Sequence, residues 1–184
     1  MWCGTISGTW QRPLSSGGQT PQARLHMQAQ PAVRIQLLAG EDVTVMRAML
    51  AMFGEAFDER ATYSQAQPDD SYLRQLLSSR AFITVAALSE AKVIGGLAAY
   101  LLPKFEQARS EIYIYDLAVE AGCRRQGIAT AMIEEIKRLA RARGAYVIYV
   151  QADRGDQAAI ALYTKLGVRE DVLHFDIAPA ESGA

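Results

Sequence analysis

Two cysteines and two histidines are all the thiol and imidazole that this 184-residue chain contains. Cys3 and Cys123 lie far apart and His26 and His174 form no spaced ligand set, so neither a disulfide framework nor a metal site is expected. No apolar run approaches the roughly 18 residues that a membrane span needs. Excess charge is missing as well: 19 Lys and Arg against 20 Asp and Glu leave −1, without the basic surplus of a general nucleic-acid binder. A soluble, reducing compartment, the cytoplasm, is the expectation. Two phosphate loops are also absent. No Gly-x-x-x-x-Gly-Lys occurs and no Gly-x-Gly-x-x-Gly follows a first strand, which takes away the main support for P-loop and Rossmann readings. Acidic residues are absent from residues 1–31, a stretch rich in Gly, Ser, Thr, Gln and Pro with no period and no apolar signal core. It is expected to be a disordered leader, with Met27 as a possible natural start.

What is present begins at residue 32. Half of the chain is apolar, enough for one domain with a sizeable core over residues 32–178, followed by a tail over 179–184. A strand is expected at 33–38. Two amphipathic helices follow, one marked by Val43, Met46, Met49, Leu50 and Phe53, the other by Tyr72, Leu73, Leu76 and Leu77, with a polar loop at 58–68 between them. Residues 81–88 and 92–102 read as a hairpin, and 109–119 as a third consecutive strand. A long helix from Ile128 to about Arg143, a strand at 145–151, a helix at 156–166 and a strand at 168–177 complete the order. The order β-α-α-β-β-β-α-β-α-β predicts an α/β fold: a mixed, twisted sheet with helices on both faces.

The most informative segment joins the third of those strands to the long helix. Leu117, Ala118 and Val119 end the strand, and Arg124, Arg125, Gln126, Gly127, Ile128, Ala129 and Thr130 open the helix. The first N–H groups of a helix lack internal partners and lie at the positive end of its dipole, so this turn reads as a phosphate cradle. Gly127 offers no side chain to obstruct a ligand, and the two arginines add cationic donors at the rim. A second block, residues 158–168, reads as a short helix closed by Gly167.

Arg124-x-x-Gly127-x-Ala129 and the block at 158–168 together resemble the acetyl-CoA-binding motifs of the GNAT acetyltransferase superfamily, in its order and separation, over roughly residues 109–170. Ala129 is a permitted variant of that pattern, and Val168 replaces the commoner phenylalanine. The stretches at 61–65, 102–107, 110–116, 146–153 and 174–176 sharpen the resemblance to the aminoglycoside 3-N-acetyltransferases of the gentamicin-modifying type, from about residue 33 to 178. The resemblance implies the GNAT acyl-CoA N-acyltransferase fold, acetyl-CoA as cofactor, a homodimer, and the 3-amino group of 2-deoxystreptamine as acceptor. Attack would be direct, within a ternary complex, and would confer resistance by removing one ammonium. Residues 117–119 would pair by main chain with the pantetheine arm, residues 124–130 would hold the diphosphate, and Ala159, Tyr163 and Lys165 of the second block would complete the cofactor site.

Two side chains carry the expected chemistry. Asp116 precedes the pairing residues, and aspartate is disfavoured inside strands, so its presence there calls for a reason. It is expected to hold the acceptor ammonium and take its proton directly or through water. By resemblance, Tyr163 meets the thioester sulfur as the acid; an ordinary phenol near 10 against a thiol near 8.5 makes donation only mildly uphill. An acceptor rich in ammonium groups calls for a carboxylate-lined, hydroxyl-rich groove, for which Tyr63, Asp153 and Asp176 are the candidates. The alternatives are a GNAT enzyme acting on another polyamine or a protein amine, and a non-catalytic acyl-CoA sensor.

Overall fold

The computed structural model describes residues 32–179. Its elements are β1 (Val33–Leu37), α1 (Val43–Ala56), α2 (Asp70–Leu77), β2 (Phe82–Ser89), β3 (Lys92–Pro103), β4 (Ser110–Val119), α3 (Ile128–Ala142), β5 (Ala145–Val150) and α4 (Gln157–Leu166). The strands form one sheet in sequence order, antiparallel from β1 to β4 and parallel between β4 and β5. This is the expected mixed sheet. None of the helices described is long and apolar enough to cross a membrane.

Helices cover both faces, which is why β2 and β3 read as nearly continuous apolar runs rather than alternating ones. On one face Ile83, Val85, Leu97, Ile112 and Ile114 pack with Ile128, Met132, Ile136 and Leu139 of α3. On the other, Phe82, Ala86, Ala98 and Ala118 pack with Met46, Met49 and Phe53 of α1 and Leu73 and Leu77 of α2. α1 lies very close to β3 at Gly96, where a Cβ would stand 2.5 Å from Met49 Cγ and 3.0 Å from Phe53 Cζ. Caps fix two of the helix starts. Asp69 accepts the Tyr72 N–H at 2.8 Å to begin α2, and Asp156 accepts the Ala159 N–H at 2.9 Å to begin α4.

Two expectations change. The loop at 58–68 is not featureless: Ala61–Gln65 forms a π-helical turn, and Tyr63 within it packs on Phe53 and Phe57. The strand expected at 168–177 does not form, so the sheet has five strands rather than six. That segment meets no edge with a hydrogen-bond ladder, and Val168, Leu173, Phe175 and Ile177 are all exposed. Alternating apolar residues become a strand only where a partner edge and a covered face reward the pattern. Only side chains attach it to the end of β5, through Gln151 with His174 at 3.0 Å and Arg154 with Asp171 at 3.8 Å. The leader and Met27 lie outside the described residues.

Candidate active site

β4 and β5 part company halfway along. Their parallel register runs from Ser110↔Ala145 to Ile114↔Val150 and stops, whereas β4 continues against β3 as far as Val119↔Gly95. The cause lies in β4 itself. Ile114 faces Ala99 and Asp116 faces Ala98, so Tyr115 is an extra residue with no partner, a bulge that bends and twists the strand. From Tyr115 to Val119 the backbone has no ladder on the β5 side. Leu117, Ala118 and Val119 therefore line an opening where unspent main-chain groups can pair with an extended amide-bearing ligand.

The cradle follows directly. Arg125 and Gly127 both adopt left-handed backbone, at φ 63° and 81°, and Gly127 caps α3 with no side-chain bond and no acidic residue in the first turn. The leading amides of Ile128, Ala129 and Thr130 have no intrahelical acceptor, while Ala131 begins the helical ladder on the Gly127 carbonyl at 2.9 Å. Successive amides in alternating left- and right-handed backbone converge on one point and suit a multivalent anion. A Cβ on Gly127 would meet nothing within 4 Å, so this glycine is required by its φ rather than by crowding within the chain. Arg124 differs from the expected free rim cation. Its Nε donates to the Val119 carbonyl at 3.1 Å, tying the helix entry back to β4. Gln126 and Arg125 are exposed beside it. This donor set fits the diphosphate of acetyl-CoA: orphaned helix amides, a positive dipole end and no competing carboxylate.

Because the bulge inserts one residue, Asp116 lies on the α1/α2 face of the sheet. The Tyr63 hydroxyl donates to both of its oxygens, at 3.1 and 3.2 Å. Burial pushes the Asp116 carboxyl above the usual carboxylate range; the Tyr63 hydrogen bond offsets part of that, and the nearby Glu59 charge adds to it. Burial and then the Asp116 charge hold the Tyr63 phenol well above its ordinary value, so it remains a donor. The pair gives a carboxylate of strengthened basicity, held in one orientation.

Tyr163 comes from the opposite side. It sits mid-α4, half-buried against the α3-side core, and its hydroxyl has no partner among the described residues. Burial, with the Asp156 charge second, pushes its pKa up to about 12. Full proton transfer to a thiolate of reference pKa near 8.5 is then uphill by about 3.5 units, or ~5 kcal/mol, steeper than the sequence suggested. The hydroxyl is therefore suited to donating a hydrogen bond rather than to giving up its proton. Ala159 opens the same helix, but its amide is already taken by Asp156, and Lys165 is exposed in the last turn.

The structure brings some sequence-predicted residues together and leaves others apart. Tyr63 and Asp116 join directly. Asp176 belongs to a separate chain, through His174 at 3.0 Å and Gln151 to the Tyr113 hydroxyl at 2.8 Å, which has no hydrogen bond to Tyr63 or Asp116. Asp153 stands exposed in the β5–α4 loop and makes no side-chain bond to the others. Sequence reasoning missed Glu59, Gln151 and the tyrosines flanking Asp116. The usable signal was alternation: Ile112 and Ile114 on one face of β4, Tyr113 and Tyr115 off it.

Residues 47–168 match the model of the acetyltransferase (GNAT) family. Among solved structures, the chain is similar to an aminoglycoside acetyltransferase, HMB0005, from an uncultured soil metagenomic sample, with 56% identity over 81% of this chain and 99% of that one at a TM-score of 0.79. A second aminoglycoside acetyltransferase, meta-AAC0020, from an uncultured soil metagenomic sample and crystallised with sisomicin, shares 29% identity over 80% and 97% at a TM-score of 0.74. A ribosomal-protein-alanine N-acetyltransferase from Brucella melitensis biovar Abortus 2308 shares 25% over 81% and 100% at a TM-score of 0.63. No curated protein sequence matches the chain.

Proposed function

Since the chain belongs to the GNAT acetyltransferase family, we propose that it acetylates an aminoglycoside, at the 3-amino group of the 2-deoxystreptamine ring. The observation that carries this reading is the Tyr63–Asp116 pair at the open end of β4, beside a phosphate cradle. The identity of 56% to one aminoglycoside acetyltransferase, and the sisomicin complex of another, support an aminoglycoside acceptor.

Acetyl-CoA, when bound, supplies an electrophilic thioester carbonyl. The first-turn amides of α3 hold its diphosphate, and the unpaired backbone of residues 117–119 orients its pantetheine arm. Asp116 binds the acceptor ammonium and receives its proton. A carboxylate beside an ammonium stabilises the charged amine, so the raised basicity of Asp116 only partly offsets its own attraction. Most of the rate must come from holding amine and carbonyl in register, which is worth about 7–11 kcal/mol when reactants are well oriented. Tyr163 donates a hydrogen bond toward the sulfur from the other side of the sheet.

The test compares thiol release from acetyl-CoA with gentamicin, spermidine and a peptide amine, then locates the acetyl group on the product by NMR. Acetylation at N3 of gentamicin at a kcat/KM well above that for the other two amines is expected. Turnover of spermidine or peptide alone, or acetyl at another nitrogen, overturns the reading.

A further inference from the structure

Aromatic residues make up only 8% of the chain, yet four tyrosines touch one another on the α1/α2 face of the sheet beside Asp116. Tyr100 of β3, Tyr113 and Tyr115 of β4 and Tyr149 of β5 form a continuous row. Ring centroids are 6.0 Å apart for Tyr100 and Tyr115, 5.8 Å for Tyr113 and Tyr115, and 4.9 Å for Tyr113 and Tyr149, the last pair inclined by only 15°. Phe82 extends the row onto β2 at 5.4 Å from Tyr100. These rings are not core. Tyr115 is 62% exposed, Tyr149 39% and Tyr100 36%.

The mechanism above does not use this row. Nor does the fold explain it, since exposed aromatic rings on a sheet face cost hydration free energy unless something covers them. The bulge presents Tyr115 directly beside Asp116, so whatever places an amine at that carboxylate lies across these rings. Charge selects what that is. Tyrosine faces are electron-rich and attract polarised C–H bonds and ammonium groups, Asp116 and Glu59 add negative charge at one end, and the phenol hydroxyls supply donors and acceptors.

We propose that Tyr100, Tyr113, Tyr115 and Tyr149 form a stacking floor for the sugar and aminocyclitol rings of a polycationic acceptor, and that this floor selects ring-bearing amines over linear ones. The proposal rests on the aminoglycoside reading and adds the determinant of its specificity. A six-membered ring lays its C–H face on the tyrosines and its hydroxyls against their edges, while the reacting amine reaches Asp116. Burial first, and then the neighbouring Tyr115 phenol, raise the phenol pKa values of Tyr100 and Tyr113, so these hydroxyls stay neutral and keep both hydrogen-bonding roles. A linear polyamine has no ring face to stack and gains only the cation contact.

The experiment uses the full chain with Tyr115→Leu and Tyr149→Leu, which keep apolar bulk but remove the ring, and Tyr115→Phe and Tyr149→Phe, which keep the ring but remove the hydroxyl. Thiol-release assays give kcat/KM for sisomicin and for spermidine, and the KM for acetyl-CoA reports on the fold. Each Leu variant is expected to lower the sisomicin-to-spermidine ratio about tenfold, the scale of one lost aromatic contact, with each Phe variant changing it less than about threefold. Equal losses for both substrates, no loss, or Phe variants as damaging as Leu overturn the floor. Should wild type acetylate spermidine but no aminoglycoside, the proposed function fails, and the floor is judged by calorimetric titration of the CoA-saturated protein with sisomicin and with trehalose, a neutral disaccharide. Binding weakened by Leu and spared by Phe sustains it; binding that is absent in wild type or indifferent to the four substitutions overturns it.

Discussion

Replacing Gly127 by alanine separates two reasons for a glycine in the phosphate cradle. The residue has φ 81°, and a Cβ there would meet no protein atom within 4 Å. The substitution therefore introduces no internal clash, only the penalty of left-handed backbone for an L-residue, roughly 1–2 kcal/mol. That penalty has two places to appear. If the free chain keeps the turn as it is, stability falls by the whole amount and affinity for CoA is unchanged. If the turn relaxes when empty, stability is preserved and binding must restore the strained geometry, weakening the dissociation constant by about 5- to 30-fold. The two losses should sum to about 1–2 kcal/mol, measured by chemical denaturation and by calorimetric titration with CoA. Gly122→Ala is the matched control: its Cβ also meets nothing within 4 Å and its φ is not left-handed, so neither quantity should move. Equal behaviour of the two variants would refute the conformational argument. A loss of affinity beyond about a thousandfold would refute it differently, by showing that the methyl group obstructs the diphosphate itself.

Tyr163→Phe should lower kcat about 10- to 100-fold, the worth of one hydrogen bond to a developing charge, and leave the KM for acetyl-CoA within about twofold. With the phenol pushed up to about 12, its ionisation lies above the assay range, so the alkaline limb of the pH–rate profile should be the same in wild type and variant; an alkaline limb that disappears in the variant would show Tyr163 titrating as the acid. Asp116→Asn should abolish most turnover yet raise Tm at pH 7. The folded carboxyl titrates above its unfolded value, so its stabilising share is complete at low pH and is lost as pH rises through the folded pKa, and the amide removes that loss. The Tm gap should close toward pH 4, and a gap that widens there sinks the assignment. Gly96→Ala should destabilise by about 1–3 kcal/mol in denaturant titration, because Met49 and Phe53 must give way.

The cradle was legible because a helix start with Gly at its cap and no acid in the first turn leaves a one-dimensional signature, and the long periodic run from Ile128 fixed its helix. The caps at Asp69 and Asp156 are equally local, each accepting an N–H three residues on, but were not read from the sequence. What could not be read depends on partners distant in sequence. The contact between Tyr63 and Asp116 spans 53 positions and needs α1 to bring Phe53 and Phe57 beneath the tyrosine. Arg124 looked like a free cation because its acceptor is a backbone carbonyl, which no side-chain pattern announces. The absent last strand failed for a related reason. Alternation at Leu173, Phe175 and Ile177 states what a strand would bury, and says nothing of whether an edge receives it.

The bulge at Tyr115 ties these observations to one another. Upstream of it Ile112 and Ile114 point into the α3-side core, and downstream Leu117 and Val119 do, so the parity of β4 inverts across a single residue. Were Tyr115 paired in regular alternation rather than bulged out, Asp116 would share the face of Ile112 and Ile114 and turn into the α3-side core among Ile128, Met132 and Ile136, where an unpaired carboxylate is very costly. With the bulge, the carboxylate reaches Tyr63, the strand bends away from β5, and residues 117–119 lose a partner. One bulged residue thus opens the cofactor slot while the acidic group stands at its mouth. Deleting Tyr115 leaves Ile114 and Asp116 as neighbours on opposite faces, so the carboxylate keeps its side while the strand loses its bend; CoA binding should be lost and amine turnover with it, whereas Tyr115→Leu, which keeps the residue count, should leave the KM for acetyl-CoA within about twofold. CoA binding that survives the deletion would refute the bulge as the cause of the opening.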